Sequence, residues 1–278
     1  MKMRMLVPLH TYPDGNPDSI ARQVAMYARH LQADVCALAC NIDLPNASSL
    51  LGTLAINVPA MIREAKAGSR ARSTALIGAM KAELDPLGIP LRTLEAERYP
   101  AEFGEIIARE ARYHDIVLFG MGPRDGTSRL TAEAVIFASG RPVLLVPEAG
   151  PAIVPDHVVI AWDGGSAAAR AVSDAHAFLR RAGTVTIVTV AGEKVPMEED
   201  AGDRLAEYLA DHDIDAGLAR LQSDGRPIAD ILQAHVQEVG AGLLVMGGFG
   251  HSRMRDFVLG GATRGMLDDL RVPVLVSH

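Results

Sequence analysis

The sequence predicts an α/β fold built from two tandem, open, five-stranded parallel sheets with helices on both faces. Strand-like apolar runs alternate with helical segments along all 278 residues. The composition agrees, because 49% of the residues are hydrophobic and only 4% are aromatic, which is typical of Ala, Val, Leu and Ile cores around parallel sheets. An internal repeat then divides the chain into two halves.

The repeat is carried by a proline and a glycine that keep the same spacing in both halves. The paired positions are Pro100 with Gly120, and Pro227 with Gly247. Each glycine closes an apolar strand, and each half ends in a proline followed by a second apolar strand. We therefore expect one domain over residues 1–148 and another over 156–278, joined by a linker rich in Pro and Gly.

Each half follows the order β-α-β-α-β-α-β-α-β. In the second half, we predict strands near residues 157–162, 184–190, 217–222, 242–247 and 272–277. We predict helices near residues 166–182, 198–211, 227–239 and 261–270. In the first half, the best-matched strands cover residues 5–10, 116–119 and 142–146. This alternation indicates right-handed crossovers between parallel strands.

Charge and cysteine content exclude several classes of protein. The net charge of −7 argues against a nucleic-acid binder, which would show a basic excess. Cys36 and Cys40 lie too far apart on one strand for a disulfide, so we expect buried structural thiols. No apolar run approaches the roughly 20 residues of a membrane span, and the N-terminus does not have the pattern of a signal peptide. We expect a cytoplasmic protein that contacts no membrane.

A glycine-rich segment joins a strand to a helix in the second half. Gly247 follows the apolar run 243–246, Gly250 comes three residues later, and Gly260-Gly261 precedes a predicted helix. Glycines let backbone N–H groups approach an anion, and a helix N-terminus adds partial positive charge. The segment therefore predicts a phosphate site, although a tight turn would also use glycine. It matches neither the P-loop nor the Gly-x-Gly-x-x-Gly pattern.

The complete pattern resembles the Gly-2x-Gly-9x-Gly-Ser/Thr signature of the universal stress protein family, in its ATP-binding branch. The resemblance covers the whole chain as two Rossmann-like domains, and the motif itself lies in the second. It implies a stress-response regulatory protein that binds ATP, with any Mg²⁺ held by the phosphates. Gly261 departs from the pattern, because the family usually has Ser or Thr there. A hydroxyl would have to come from Thr263 or Ser252, or be missing.

The resemblance also assigns residues to the nucleotide. Asp163 would contact the adenosine, and Val190 would contact the adenine edge through its backbone. Both have plainer interpretations, a turn aspartate and a core valine. Trp162 would line the base pocket or pack in the core. The candidate cofactor-binding residues are Ala161, Trp162, Asp163, Val190, Gly247, Gly250, His251, Ser252, Arg253, Gly260, Gly261, Ala262 and Thr263.

The charged and polar residues around the loop leave two interpretations open. Arg253, Arg255 and Arg264 suit a phosphate site, but they would equally form an exposed charged face. His251 and Ser252 would donate to phosphate or be merely solvated. We find no nucleophilic triad and no metal-binding cluster, so we expect no enzyme, with slow ATP hydrolysis left open.

The first half differs where the second carries its motif. Its loop after Gly120 is four residues shorter, and Pro123, which has no N–H, replaces the second glycine. We therefore do not expect it to bind nucleotide in the same way. It also carries 26 extra residues in or near 41–60, an apolar, loop-like insertion that would form a lid or a partner-binding surface.

Two further expectations concern assembly and function. The family pairs its fifth strands, so residues 142–146 and 273–276 are expected to meet within one chain, and a homodimer of whole chains stays open. Besides the ATP-binding regulator, two alternatives remain. One is a scaffold of the same family that binds no nucleotide. The other is an α/β nucleotide-dependent enzyme, such as an ATP pyrophosphatase or a flavoprotein subunit.

Overall fold

The computed structural model describes residues 2–45, 57–122, 126–191, 198–248 and 261–278, and within them ten strands form one sheet. The strands are β1 (Met3–His10), β2 (Ala33–Ile42), β3 (Leu91–Arg98), β4 (Ile116–Met121), β5 (Val143–Pro147), β6 (His157–Ala161), β7 (Thr184–Ala191), β8 (Gly217–Gln222), β9 (Leu243–Gly247) and β10 (Val274–Ser277). The helices are α1 (Ile20–Leu31), α2 (Val58–Leu84), α3 (Phe103–Ala111), α4 (Gly126–Ala138), α5 (Ser166–Asp174), α6 (His176–Leu179), α7 (Ala201–Ala210), α8 (Ile228–Glu238) and α9 (Gly261–Asp268).

The strand order is β3-β2-β1-β4-β5-β10-β9-β6-β7-β8. All neighbouring strands of the described chain run parallel except β5 and β10, which pair antiparallel with Leu144 opposite Leu275. The predicted α/β class is confirmed, and the two predicted five-stranded sheets join into one continuous sheet at this seam. Each half thereby covers one edge of the other, and β3 and β8 form the two outer edges.

The central strands are apolar along their whole length because helices cover both faces of the sheet. β4 is buried at every position, and β5, β9 and β10 are buried at almost every position. Two layers of core side chains, one on each face, extend through both halves of the molecule. The predicted helix over 166–182 is divided at Ala175 into α5 and α6.

Helix α2 accounts for most of the extra length of the first half. It has 27 residues, whereas its counterpart α7 has 10. The side chain of Asn57 caps it by accepting a hydrogen bond from the amide of Ala60 at 3.1 Å. Only the ends of the predicted insertion over 41–60 are described, with β2 ending at Ile42 and α2 beginning at Val58. Residues 46–56 of that insertion lie outside the described chain.

The two halves also contact each other on both faces of the sheet. On one face, the ring of Phe178 lies 6.2 Å from the ring of Tyr27, edge-on, and stacks on His30 at 5.8 Å. On the other face, α4 packs near α9, and Arg129 Nε lies 3.5 Å from Asp268 Oδ1. The two halves are therefore joined by the pairing of β5 with β10 and by side-chain contacts on both faces of the sheet.

Candidate functional site

The site predicted from sequence lies at the carboxyl edge of the second half, where β6 runs between β9 and β7. Ala161 of β6 is opposite Met246 of β9 and Val188 of β7. Asp163, Val190 and Gly248 each follow these positions by two residues, so they lie at the same level near the carboxyl ends of three neighbouring strands. The chain turns to opposite sides of β6 here, which creates the crevice where ligands of open α/β sheets bind.

Asp163 forms the turn that connects β6 to α5. Its Oδ1 accepts a hydrogen bond from the amide of Gly165 at 2.8 Å, and α5 begins at the next residue. This is the local aspartate turn that the plainer interpretation expects. The half-buried carboxylate nevertheless stands at the crevice, so the turn fixes its position at the sheet edge.

Trp162 belongs to the opposite face of the sheet from Ala161 and Val190. Its indole packs on the core layer beneath α5 and α7, and its Nε1–H donates to the carbonyl of Ala201 at 3.0 Å. Ala161 and Val190 are partly buried against the other layer, which also includes α8 and α9. The contacts favour core packing for Trp162, and they leave Ala161 and Val190 as the apolar residues on the α9 side.

Close packing at the end of β9 requires glycine at both Gly247 and Gly248. A Cβ at Gly247 would lie 2.5 Å from the amide nitrogen of Ala168, because α5 crosses directly over the end of β9. The amide of Gly248 donates to the carbonyl of Ser277 at 2.7 Å, and a Cβ there would meet Val276 Cγ1 at 2.9 Å. Gly248 was not among the predicted residues, and this use of its amide has no signal in the sequence.

The N-terminus of α9 presents a different environment. Gly261 is exposed, and no atom of the described residues lies within 4 Å of the position that its Cβ would occupy. The first turn of α9 contains no acidic residue that would offset the partial positive charge of the helix N-terminus. This open helix end has the character of an anion-binding position.

The side chains of α9 offer fewer contacts for a phosphate than the sequence predicted. Thr263 is 2% exposed, so its hydroxyl lies inside the protein and not at the open end of the helix. Ala262 is half-buried. Arg264 Nε lies 3.5 Å from Asp268 Oδ2 in an exposed i,i+4 pair, which supports the exposed charged face.

Several predicted positions lie outside the described residues. They are Gly250, His251, Ser252, Arg253, Arg255 and Gly260. The structure therefore bears on the two ends of the glycine-rich segment, Gly247 and Gly261, and on the strand ends beside it.

The corresponding edge of the first half is filled by the protein's own side chains. His10, which aligns with Asp163, is 4% exposed, and its ring contacts Phe119 edge-on at 5.1 Å. Its amide donates to Asn16 Oδ1 at 2.5 Å. Gln23 Nε2 donates to the carbonyl of Pro147 at 2.6 Å, which ties α1 to the end of β5.

Groups for nucleophilic or metal chemistry are not assembled in the described part of the chain. Cys36 and Cys40 are both free and buried, and burial raises the pKa of the Cys40 thiol to about 12, so it stays protonated. Across residues 2–45, 57–122, 126–191, 198–248 and 261–278, no three His, Cys, Asp or Glu side chains could jointly hold a metal ion. Within the same ranges, no helix has the length and apolarity to cross a membrane.

Comparison with known proteins agrees with this architecture. Residues 155–278 match the model of the Universal stress protein family. A universal stress protein from Archaeoglobus fulgidus DSM 4304 superposes with a TM-score of 0.72 at 16% identity, covering 99% of this chain and 97% of that one. A functionally unknown protein from Pseudomonas aeruginosa PAO1 gives 0.63 at 16% identity, covering 99% and 92%. No curated protein matches the chain. Residues 155–278 therefore carry a domain of the universal stress protein family, and the whole chain has the fold of the Archaeoglobus fulgidus protein.

Proposed function

We propose that this stress-response protein is a regulator that binds ATP, or another adenine nucleotide, at the carboxyl edge of its second half. One observation supports the proposal: Asp163, Val190 and Gly248 lie at one level near the carboxyl ends of three adjacent strands, beside the switch point of the sheet. Helix α9 packs on the same face of the sheet as Ala161 and Val190. A nucleotide would lie between its N-terminus and Asp163.

Different described residues suit the base, the ribose and the phosphates of such a ligand. Ala161 and Val190 offer apolar contacts to a base on the α9 side of the sheet. Asp163 offers a fixed carboxylate that ribose hydroxyls would donate to. The α9 N-terminus at Gly261 would receive a phosphate through its amides. Mg²⁺, when present, would be held by the phosphates, because the described residues form no metal cluster.

A regulatory role agrees with these groups better than a catalytic one. Binding needs only oriented amides, a carboxylate and apolar contacts, whereas hydrolysis would need a positioned base and bound metal. Charge-assisted bonds to the phosphates contribute about 1.5–3 kcal/mol each, which is sufficient for micromolar affinity after association costs. ATP occupancy would then control a protein contact and not a chemical step.

A scaffold that binds no nucleotide is the second candidate, and a specific observation favours it. Gly247 and Gly248 are both explained by close packing, and the Gly248 amide already donates to Ser277. Gly261 also has no hydroxyl for the terminal phosphates. Under this alternative, the glycines of the second half would serve the fold alone.

Calorimetric titration of the full chain with ATP, ADP, AMP and FAD separates these functions. Saturable ATP binding that Asp163→Asn weakens about tenfold supports the regulator, because Asn keeps the oxygen bonded to Gly165 but loses the charge. Gly250→Val, within the loop, should abolish that binding. His10→Asn is the matched control in the first half and should leave affinity unchanged. No binding of any nucleotide would support the scaffold, and FAD binding would support a flavoprotein.

A further inference from the structure

The end of β10 holds Gly248, the residue that follows β9, through both of its backbone polar groups. The Gly248 amide donates to the carbonyl of Ser277 at 2.7 Å. The carbonyl of Gly248 lies 3.2 Å from Nδ1 of His278. Because a carbonyl only accepts hydrogen bonds, Nδ1–H is the donor. Gly248 is buried, and glycine has wide freedom in φ and ψ, so these two bonds fix the direction in which the chain leaves β9.

The imidazole of His278 is in turn supported by helix α4 of the first half. The ring of Phe137 contacts it edge-on, with 5.0 Å between the ring centroids and 80° between the ring planes. The preceding residue, Ile136, comes close to Gly248 itself, because a Cβ at Gly248 would lie 3.6 Å from its Cγ2. The point at which the chain leaves β9 in the second half is therefore positioned against a helix of the first half.

The first half holds the corresponding carbonyl in a different way. Met121 stands at the position of Gly248 in the repeat, and its carbonyl accepts from the backbone amide of Glu148 at 3.1 Å. Pro147 stands at the position of His278, five residues after the proline that precedes each last strand, and it has no N–H to donate. One half therefore uses a main-chain bond, whereas the other uses a side chain that contacts the opposite half.

We propose that His278 is a positioning residue for the nucleotide site, and that it couples nucleotide affinity in the second half to the packing of α4 in the first. The proposal rests on the nucleotide function proposed above. Gly248 lies at the level of Asp163, at the crevice where the nucleotide would bind. Holding Gly248 in place before the ligand arrives lowers the ordering cost of binding, so loss of the His278 bond should weaken affinity.

Calorimetric titration of the full chain with ATP tests the role of His278. His278→Ala should weaken ATP binding about threefold to tenfold, because it removes one hydrogen bond to a buried carbonyl. His278→Asn should restore most of the affinity, since its side-chain N–H can take the place of Nδ1–H, and a purely structural role of the ring would give no such rescue. His212→Ala is the matched control and should bind ATP as the unmodified chain does, because His212 follows α7, which leads from the carboxyl edge to the start of β8.

A second substitution tests the link to the first half. Phe137→Leu keeps an apolar side chain on α4 but removes the ring, and it should weaken ATP binding about twofold to threefold. In the His278→Ala background the same change should have no further effect, because Phe137 acts through His278. Additive effects of the two substitutions would overturn the coupling between the halves.

The outcomes separate this proposal from the proposed function. Equal ATP binding by His278→Ala and the unmodified chain would overturn the role of His278 and leave the nucleotide function standing, whereas no ATP binding by the unmodified chain would overturn both. A measurement without nucleotide checks the hold directly. Hydrogen exchange at the Gly248 amide, followed by NMR, should be faster in His278→Ala than in His278→Asn, and equal rates in the Ala variant and the unmodified chain would also overturn the proposal.

Discussion

At the end of β1 in the first half, His10 is packed against Phe119 and only 4% exposed, and α4 begins five residues after β4 ends. At the end of β6 in the second half, Asp163 is half-buried in a short turn, and α9 begins far from β9 with an exposed N-terminus. Two copies of one fold have therefore used the same edge of the sheet differently. The first fills the crevice with its own side chains, and the second leaves a carboxylate and a helix end beside it.

The halves remain coupled despite this difference, because each completes the core of the other. Leu144 of β5 and Leu275 of β10 are opposite each other and completely buried. Phe178 of the second half stacks on His30 of the first. The following variants test how far the difference between the two sheet edges extends.

The largest expected effect comes from the seam. Leu144→Ala, in the first half, should destabilise the chain by about 2–5 kcal/mol, because it leaves a cavity in a core shared by both halves. Chemical denaturation followed by the fluorescence of Trp162, the only tryptophan and a residue of the second half, should show the whole loss. Leu130→Ala, at a position 59% exposed, is the control and should change stability by less than about 0.5 kcal/mol. An unshifted Trp162 transition would mean that the halves unfold independently.

The next comparison concerns the repeated glycine. Gly247→Ala should cost about 1–3 kcal/mol, because the new Cβ meets the backbone of α5 at Ala168 and Ala167. Gly120→Ala, at the same position of the repeat, should cost less, since its nearest neighbours at 3.0 Å are the side-chain ends of Glu148 and Ile20. Thermal unfolding of both variants checks the order. Equal costs would contradict the view that the glycine of the second half is fixed by helix packing.

A smaller change sharpens the difference at the helix ends. Gly261→Ser should raise ATP affinity about threefold to tenfold, because it places a hydroxyl in open space at the start of α9. Gly126→Ser is the matched control at the start of α4, where the space is equally open, and it should have no effect. Calorimetry measures both. Unchanged affinity in Gly261→Ser would mean that the phosphates do not reach the N-terminus of α9.

The sequence predicted the strands well because those covered on both faces are continuous apolar runs, as in β4 and β9. It did not specify the length of α2, because the buried side of this helix includes Ser69 and Ser73, which interrupt the apolar pattern of a helix. The sequence did not predict the tertiary contacts. Gly247 stood out as part of a ligand loop, but its packing against α5 depends on a helix crossing that no local pattern specifies.

The same limit applies to Trp162. Its indole packs on the core layer beneath α5 and α7. Its bond to Ala201 joins the end of β6 to the first residue of α7, which lies 39 positions later in the chain. A contact across that distance depends on the sheet order and on the position of α7, neither of which is contained in the local sequence.

The smallest expected effect is the pH response that His114 contributes in the first half. Burial lowers the pKa of His114 below its ordinary value of 6.5, and Arg4 and Arg92 lower it further, against the raising effects of the Glu110 carbonyl and carboxylate. The unfolded chain then binds the proton more readily, so stability is fully present above the ordinary pKa and is lost as the pH falls through it.

The repeat places Ala241, which is also buried, at the corresponding position of the second half. His114→Ala copies that half and should therefore flatten the dependence of unfolding free energy on pH, measured by denaturation between about pH 5.5 and 7.5. The cavity lowers stability at every pH, so the slope and not the absolute value is the readout. His30 and His176, whose pKa values burial also lowers, should leave a residual slope. A slope identical to that of the unmodified chain would show that His114 does not distinguish the halves.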